Sequence, residues 1–232
     1  KDYDNSLVGY WDMETICESG NCGSGNDGKL KDLSGNGNDG IFSGTILPTL
    51  TGGHIGKGFY FTKSDNRIFI PSFTVSTYSD KFANGYTISA VVMKQTDGTT
   101  QGRIFGGFDA PLLYFDEYEK PIIIHYNIKN KYSGTRTLDY QNSNKFLFIV
   151  GIWDTNSQKI YINGILNNKN IVLDRLKISA STSNVTIGTA SDINGTVTDS
   201  AYSFPGIIDD IKIYNRALSD EEIKQHAKIA GF

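Results

Sequence analysis

Residues 206–222, Gly-Ile-Ile-Asp-Asp-Ile-Lys-Ile-Tyr-Asn-Arg-Ala-Leu-Ser-Asp-Glu-Glu, restrict the fold more tightly than any other stretch of the chain. With period two, Ile207, Asp209, Ile211 and Ile213 share one face, and Ile208, Asp210, Lys212 and Tyr214 share the other. Asn215 and Arg216 break that alternation, so the strand is predicted to stop after Tyr214. Ser219, followed by Asp220, Glu221 and Glu222, has the form of an N-cap with a Ser-x-x-Glu capping box. A short helix is therefore predicted from about Asp220 to Lys228. Asp209 is the informative residue, because a lone carboxylate among isoleucines costs on the order of several kcal/mol or takes up a proton. It needs backbone donors, a cation or a metal.

Upstream, the pattern is one of short strands and turns. Glycine is abundant (25 of 232 residues) and no long helical periodicity precedes residue 219, as in an all-β sandwich. Strands are predicted at Leu7–Glu14, with Leu7, Trp11 and Met13 inward, and at 56–61 and 66–70, as a pair. Residues 84–93 form a nearly continuous apolar and hence central strand, and 103–108 continue its sheet. Further strands fall at 112–115, 122–126, 145–153 and 184–188, and 157–164 ends in an Asn163-Gly164 hairpin turn. Residues 189–203 are polar and read as a long surface loop. No linker divides the chain, and residues 1–232 are taken as one domain.

The net charge of −3 gives no basic footprint for nucleic acid. No apolar run approaches the roughly 20 residues of a membrane span. The start at Lys1, without a methionine or signal-like segment, suggests a mature or excised fragment. Cys17 and Cys22, the only cysteines, lie in a Gly-Asn-Ser-rich loop. They form either a disulfide, which would imply an oxidising, extracellular setting, or two loop thiols.

Several segments together resemble the laminin-G-like, concanavalin A-like jelly-roll domains of bacterial surface and secreted proteins. These are the closing Gly206–Ser219 stretch, the opening Gly9-Tyr10-Trp11 strand ending in acidic Glu14, and the Asp32-x-Ser-Gly-Asn-Gly-Asn38 loop. Gly56-Lys57-Gly58 and the Tyr161-x-Asn163-Gly164 turn add to the likeness. The resemblance implies a two-sheet antiparallel jelly-roll sandwich closed by a short C-terminal helix. It also implies a structural calcium near Asp209, with Glu14, Asp32 and Asn38 as the other ligands if the terminal strands are neighbours. The residues alone leave two readings of the 32–38 loop open: a hard-cation site, or a coil satisfied by its own Asx turns.

Catalysis finds no support. The nearest approach to paired carboxylates on one strand face is Asp116-Glu117-Tyr118-Glu119, which reads as a hairpin tip between Phe115 and Pro121. His54, His125 and His226 are scattered; His125 is expected to face outward, and His226 to complement the helix C-terminus. Sugar recognition wants exposed rings flanked by acids and amides, and Tyr114, Asp116, Tyr126, Asn127, Tyr132 and Arg136 supply those types in one segment. The sequence therefore predicts a non-catalytic, extracellular or cell-surface recognition domain whose partner is a glycan or another surface protein. The alternative is the head of a pilin-like or other fibre subunit that assembles with copies of itself.

Overall fold

The computed structural model describes residues 5–17, 28–62, 65–74, 81–95, 101–107, 111–126, 132–140, 144–172, 184–190 and 202–232. Three long strands make the middle of one sheet: β6 (Gly85–Lys94), β11 (Leu147–Asp154) and β15 (Gly206–Tyr214). Their residues are buried almost throughout, which explains why β6 lacks an apolar-polar alternation. Its inner face meets the second sheet, and its outer face lies on the side covered by the C-terminal helix. The full order of this sheet is β13 (Ile165–Ile171), β12 (Ser157–Ile162), β11, β6, β15, β4 (Lys57–Phe61) and β3 (Thr49–Gly52), with β1 (Leu7–Trp11) also on β15. The facing sheet runs β10 (Tyr132–Arg136), β9 (Pro121–Tyr126), β8 (Leu112–Phe115), β7 (Gly102–Gly106), β14 (Asn184–Ile187), β5 (Arg67–Thr74) and β2 (Ile41–Ser43). All pairings are antiparallel, so the sandwich is the jelly-roll type expected.

Between the sheets lies a core built from Trp11, Phe61, Phe73, Phe105, Phe115 and Ile208 among others. A second cluster, including Leu7, Val91, Phe148, Val150, Tyr161 and Tyr214, fills the outer face of the first sheet. Helix α1 (Asp220–Ile229) covers it with Ile223 and Ala227. The helix starts where its cap predicts: the Ser219 side chain accepts from the Glu222 amide, and the Glu222 carboxylate accepts from the Ser219 amide. Arg216 clamps the same carboxylate at 2.6 and 2.9 Å, holding Glu222 down to a pKa of about 2. The Asn163-Gly164 turn forms as predicted, with both residues at positive φ (52° and 81°).

Four expectations are overturned. Residues 56–61 and 66–70 do not pair: β4 lies in the first sheet and β5 in the second. Likewise β7 does not continue the sheet of β6 but lies opposite it. Sequential strands of a sandwich can each bury an apolar face while switching sheets, so adjacency in sequence does not reveal the switch. His125 faces inward, 3% exposed, with its ring 4.1 Å from and parallel to that of Trp153. The period-two pattern carried that signal, since Ile123 on the same strand face lies in the core. Leu7 faces the helix side, because the β1–β15 register shifts between Leu7 and Gly9.

Candidate functional site

β15 also departs from its predicted phase, and that departure builds a site. Its register with β6 shifts between Asp209 and Lys212, and Asp210 sits at φ 47°, marking a β-bulge. Ile208, Ile211 and Ile213 therefore all face the inter-sheet core. Asp209 does not share their face and instead lines a cleft on the helix side. The bulge coincides with a change of partner on one edge of β15. Residues 206–208 pair with β4, whereas 211–214 pair with β1.

The gap between β4 and β1 is filled from the β3–β4 turn. Asp209 Oδ2 accepts the backbone N–H groups of His54 (3.0 Å) and Ile55 (3.3 Å). Glu14 Oε1 accepts that of Lys57 at 2.7 Å. Only glycine fits at either end of this turn: a Cβ on Gly53 would stand 2.6 Å from Asp209 Oδ2, and one on Gly56 would overlap Glu14 Oε1. His54 reaches further, with Nε2 2.9 Å from the Ala230 carbonyl and its ring stacked on Phe232. Asp209 is 1% exposed. Burial raises its pKa from 3.8 to about 7, opposed by the Ile55 and His54 amides and reinforced by the charges of Asp210 and Glu14.

The cleft, about 760 Å³, runs from this acidic end along α1. Tyr10, Phe148, Tyr214, Gln225 and His226 line its length. Two of its acids are neutralised within it: Lys212 Nζ lies 2.5 Å from Asp210 and over the Tyr10 ring, and Arg216 holds Glu222. Burial, helped by the charge of Lys212, lowers the His226 pKa and favours its neutral form.

Of the four residues expected around calcium, Glu14 and Asp209 meet at this cleft. Asp32 and Asn38 are occupied elsewhere. Asp32 accepts the amides of Tyr10, Ser34 and Asn38 at 2.9–3.0 Å. Asn38 Nδ2 donates to the Val8 carbonyl, and the Asn38 backbone carbonyl accepts from the Trp11 indole, each at 2.9 Å. This loop thus locks itself to β1 by Asx-type bonds. Asp32 and Asn38 are not among the residues that line the cleft where Glu14 and Asp209 meet, so the four expected ligands are not gathered at that cleft. Cys17 is buried; its expected partner Cys22 lies outside the described residues.

The expected ligand-binding segment resolves into a smaller group on the second sheet. Residues 116–120 form the β8–β9 hairpin tip, but Asp116 is not solvated. It is 1% exposed, accepts the Tyr118 and Lys120 amides, and pairs with Arg136 Nε at 3.2 Å. Arg136 also lies over the Tyr118 ring at 4.9 Å, and Tyr118 is 62% exposed. Tyr114 and Arg136 both stand opposite Ile122 in register, Tyr114 half-buried. Tyr126 pairs with Tyr132 farther along the ladder, and Asn127 lies outside the described residues. The exposed ring of the group, Tyr118, belongs to the same tyrosine-rich segment of the sequence, where it also reads as part of a turn.

A two-sheet antiparallel sandwich with a capping helix defines a lectin-like jelly roll. The family model described as the concanavalin A-like lectin/glucanases superfamily matches residues 64–224, and the chain belongs to that family. Among solved structures, domain 4 of the extracellular arabinanase AbnA of Geobacillus stearothermophilus, in complex with arabinotriose, matches with a TM-score of 0.67 and 16% identity. The match covers 96% of this chain and 98% of that one. The receptor-binding domain of botulinum neurotoxin C/D mosaic serotype matches with a TM-score of 0.68 and 16% identity, over 96% of this chain and 51% of that one. The ligand-binding domain of botulinum neurotoxin serotype D, in complex with N-acetylneuraminic acid, gives 0.64 and 16%, over 96% and 50%. The chain thus spans about half the length of these toxin domains. A comparison with curated proteins finds no match. At such identities the structural likeness shows the fold. Among the described residues no helix is long and apolar enough to cross a membrane.

Proposed function

We propose that this domain is a non-catalytic carbohydrate-recognition module acting outside the cell or at its surface. One observation carries the reading: an exposed aromatic ring, Tyr118, stands over a fixed Asp116–Arg136 pair on the rim of the second sheet. A sugar needs an apolar ring against which to lay its C–H face, and nearby charged groups to exchange hydrogen bonds with its hydroxyls. Family membership supports this, as does the arabinotriose bound to a domain matched over nearly its whole length. The sialic acid complex weighs less, because half of that protein lies outside the match. A non-catalytic role is favoured because Glu119, which with Glu117 makes the one candidate carboxylate pair, is already paired with the buried Lys94 ammonium at 3.6 Å. A Cys17–Cys22 disulfide would accord with an extracellular setting.

A glycan array followed by saturation-transfer NMR on the best hit tests the reading. Tyr118→Ala and Arg136→Ala should each weaken binding about tenfold, in line with the loss of one ring or charge-assisted contact. Silence across the array at high protein concentration, or binding untouched by both changes, would refute it. Self-assembly is the second reading. It is favoured by edge strand β13, where Ile165 (73%) and Ile171 (59%) are exposed, and concentration-dependent light scattering would support it.

A further inference from the structure

The cleft beside α1 lies on the opposite sheet from Tyr118, and its chemistry is different. Its acids outnumber its bases: Asp12, Glu14, Asp209, Asp210 and Glu222 face Lys212 and Arg216. Asp210 and Glu222 are neutralised by those two cations. Three carboxylates remain, graded in depth from exposed Glu14 through half-buried Asp12 to fully buried Asp209.

Their oxygens are partly committed. Asp12 receives the Glu14 and Thr15 amides and the Thr15 hydroxyl. Asp209 Oδ2 and Glu14 Oε1 receive amides of the β3–β4 turn. Among the described residues, Asp209 Oδ1 and Glu14 Oε2 accept no hydrogen bond. Asp209 is thus held through Oδ2 by two turn amides while Oδ1 accepts no bond, on the wall of an open cleft.

Two spare oxygens are too few for calcium, which takes about six to eight. They suit a primary ammonium, which has three hydrogens to donate. The cleft is also much longer than an ammonium group, and beyond the acids it is lined by Tyr10, Gln225 and His226, groups that suit a hydroxylated ring.

We propose that the cleft binds an amino sugar through its free amine, the ammonium entering between Asp209 and Glu14 and the pyranose lying along α1. This rests on the carbohydrate-recognition reading and names a ligand class for a second face. The amine must be unacetylated, since an acetamide carries no charge and offers a single N–H.

Isothermal titration in the presence of EDTA tests it, using glucosamine oligomers and fully N-acetylated oligomers of equal length as the probes. The free-amine oligomers should bind and the acetylated ones should bind at least about tenfold more weakly; Asp209→Asn and Glu14→Gln should each lose about tenfold, as for one charge-assisted hydrogen bond. Melting curves should show both cleft variants folded. Equal binding of the two oligomers, or full binding by both cleft variants, overturns the proposal. So does a melting shift produced by calcium alone and lost in Asp209→Asn, which would make the cleft a metal site. If neutral glycans bind in a Tyr118-dependent way while amines do not, this proposal falls and the recognition reading stands; if no glycan binds, both fall.

Discussion

Replacing Asp209 with asparagine isolates the cost of burying one carboxylate in the bulge of β15. Its pKa is near 7 in the folded protein, against a reference of 3.8. Between those values the folded chain holds a proton that the unfolded chain has released. Stability must therefore fall as pH rises from about 4 to about 7, and the penalty is complete above 7. A shift of roughly three units corresponds to about 4 kcal/mol at most. The carbonyl of the introduced side-chain amide can still accept the His54 and Ile55 N–H groups, so the variant keeps the turn and discards the charge. Urea unfolding of both proteins at about pH 4.5 and about pH 8 gives the test, because other titrating groups cancel in the difference. The variant should match the parent at the lower pH and exceed it by about 2–4 kcal/mol at the higher. A difference that is the same at both values, or a variant less stable in the alkaline arm, would show that the carboxylate is better solvated or paired than the burial argument requires.

Two further predictions concern the loop and the helix. Because both Asp32 oxygens already accept backbone amides, EDTA should leave the melting temperature unchanged; a drop reversed by calcium would restore the metal to this fold. Ser219→Ala removes the capping box and should lower stability by about 1 kcal/mol, measured by urea titration. No change would mean that Arg216 alone secures the first turn.

How much was legible depended on the range of each interaction. The Asn163-Gly164 turn and the Ser219–Glu222 box were readable because each is settled within a few residues. The end of β15 at Tyr214 was also readable, since two polar residues suffice to stop an alternation. The bulge at Asp210 was not. A single residue at positive φ leaves no mark in a run that already contains two aspartates, yet it moves Asp209 to the other side of the sheet. The meeting of Glu14 with Asp209 was anticipated through the pairing of β1 and β15. What escaped was the β3–β4 turn between them, because β3, with mostly exposed residues, has no amphipathic signature. Asp116 was misjudged because its surroundings are equally unmarked in sequence. A hairpin tip is polar in sequence whether its carboxylate is solvated or, as here, sealed under an arginine contributed by another strand.

The position of β15 also has a consequence for how the sandwich is made. The last of the described strands to leave the ribosome is not an edge piece: it slots between β6 on one side and β4 and β1 on the other. Until residues 206–214 emerge, those earlier strands wait with unsatisfied backbone edges, and the amphipathic outer face lacks its helical cover. Contacts of such long sequence separation close slowly and leave sticky intermediates exposed. The nascent domain is therefore most prone to mispairing with its neighbours just before β15 is translated, when almost everything except the strand that completes its sheet is already present.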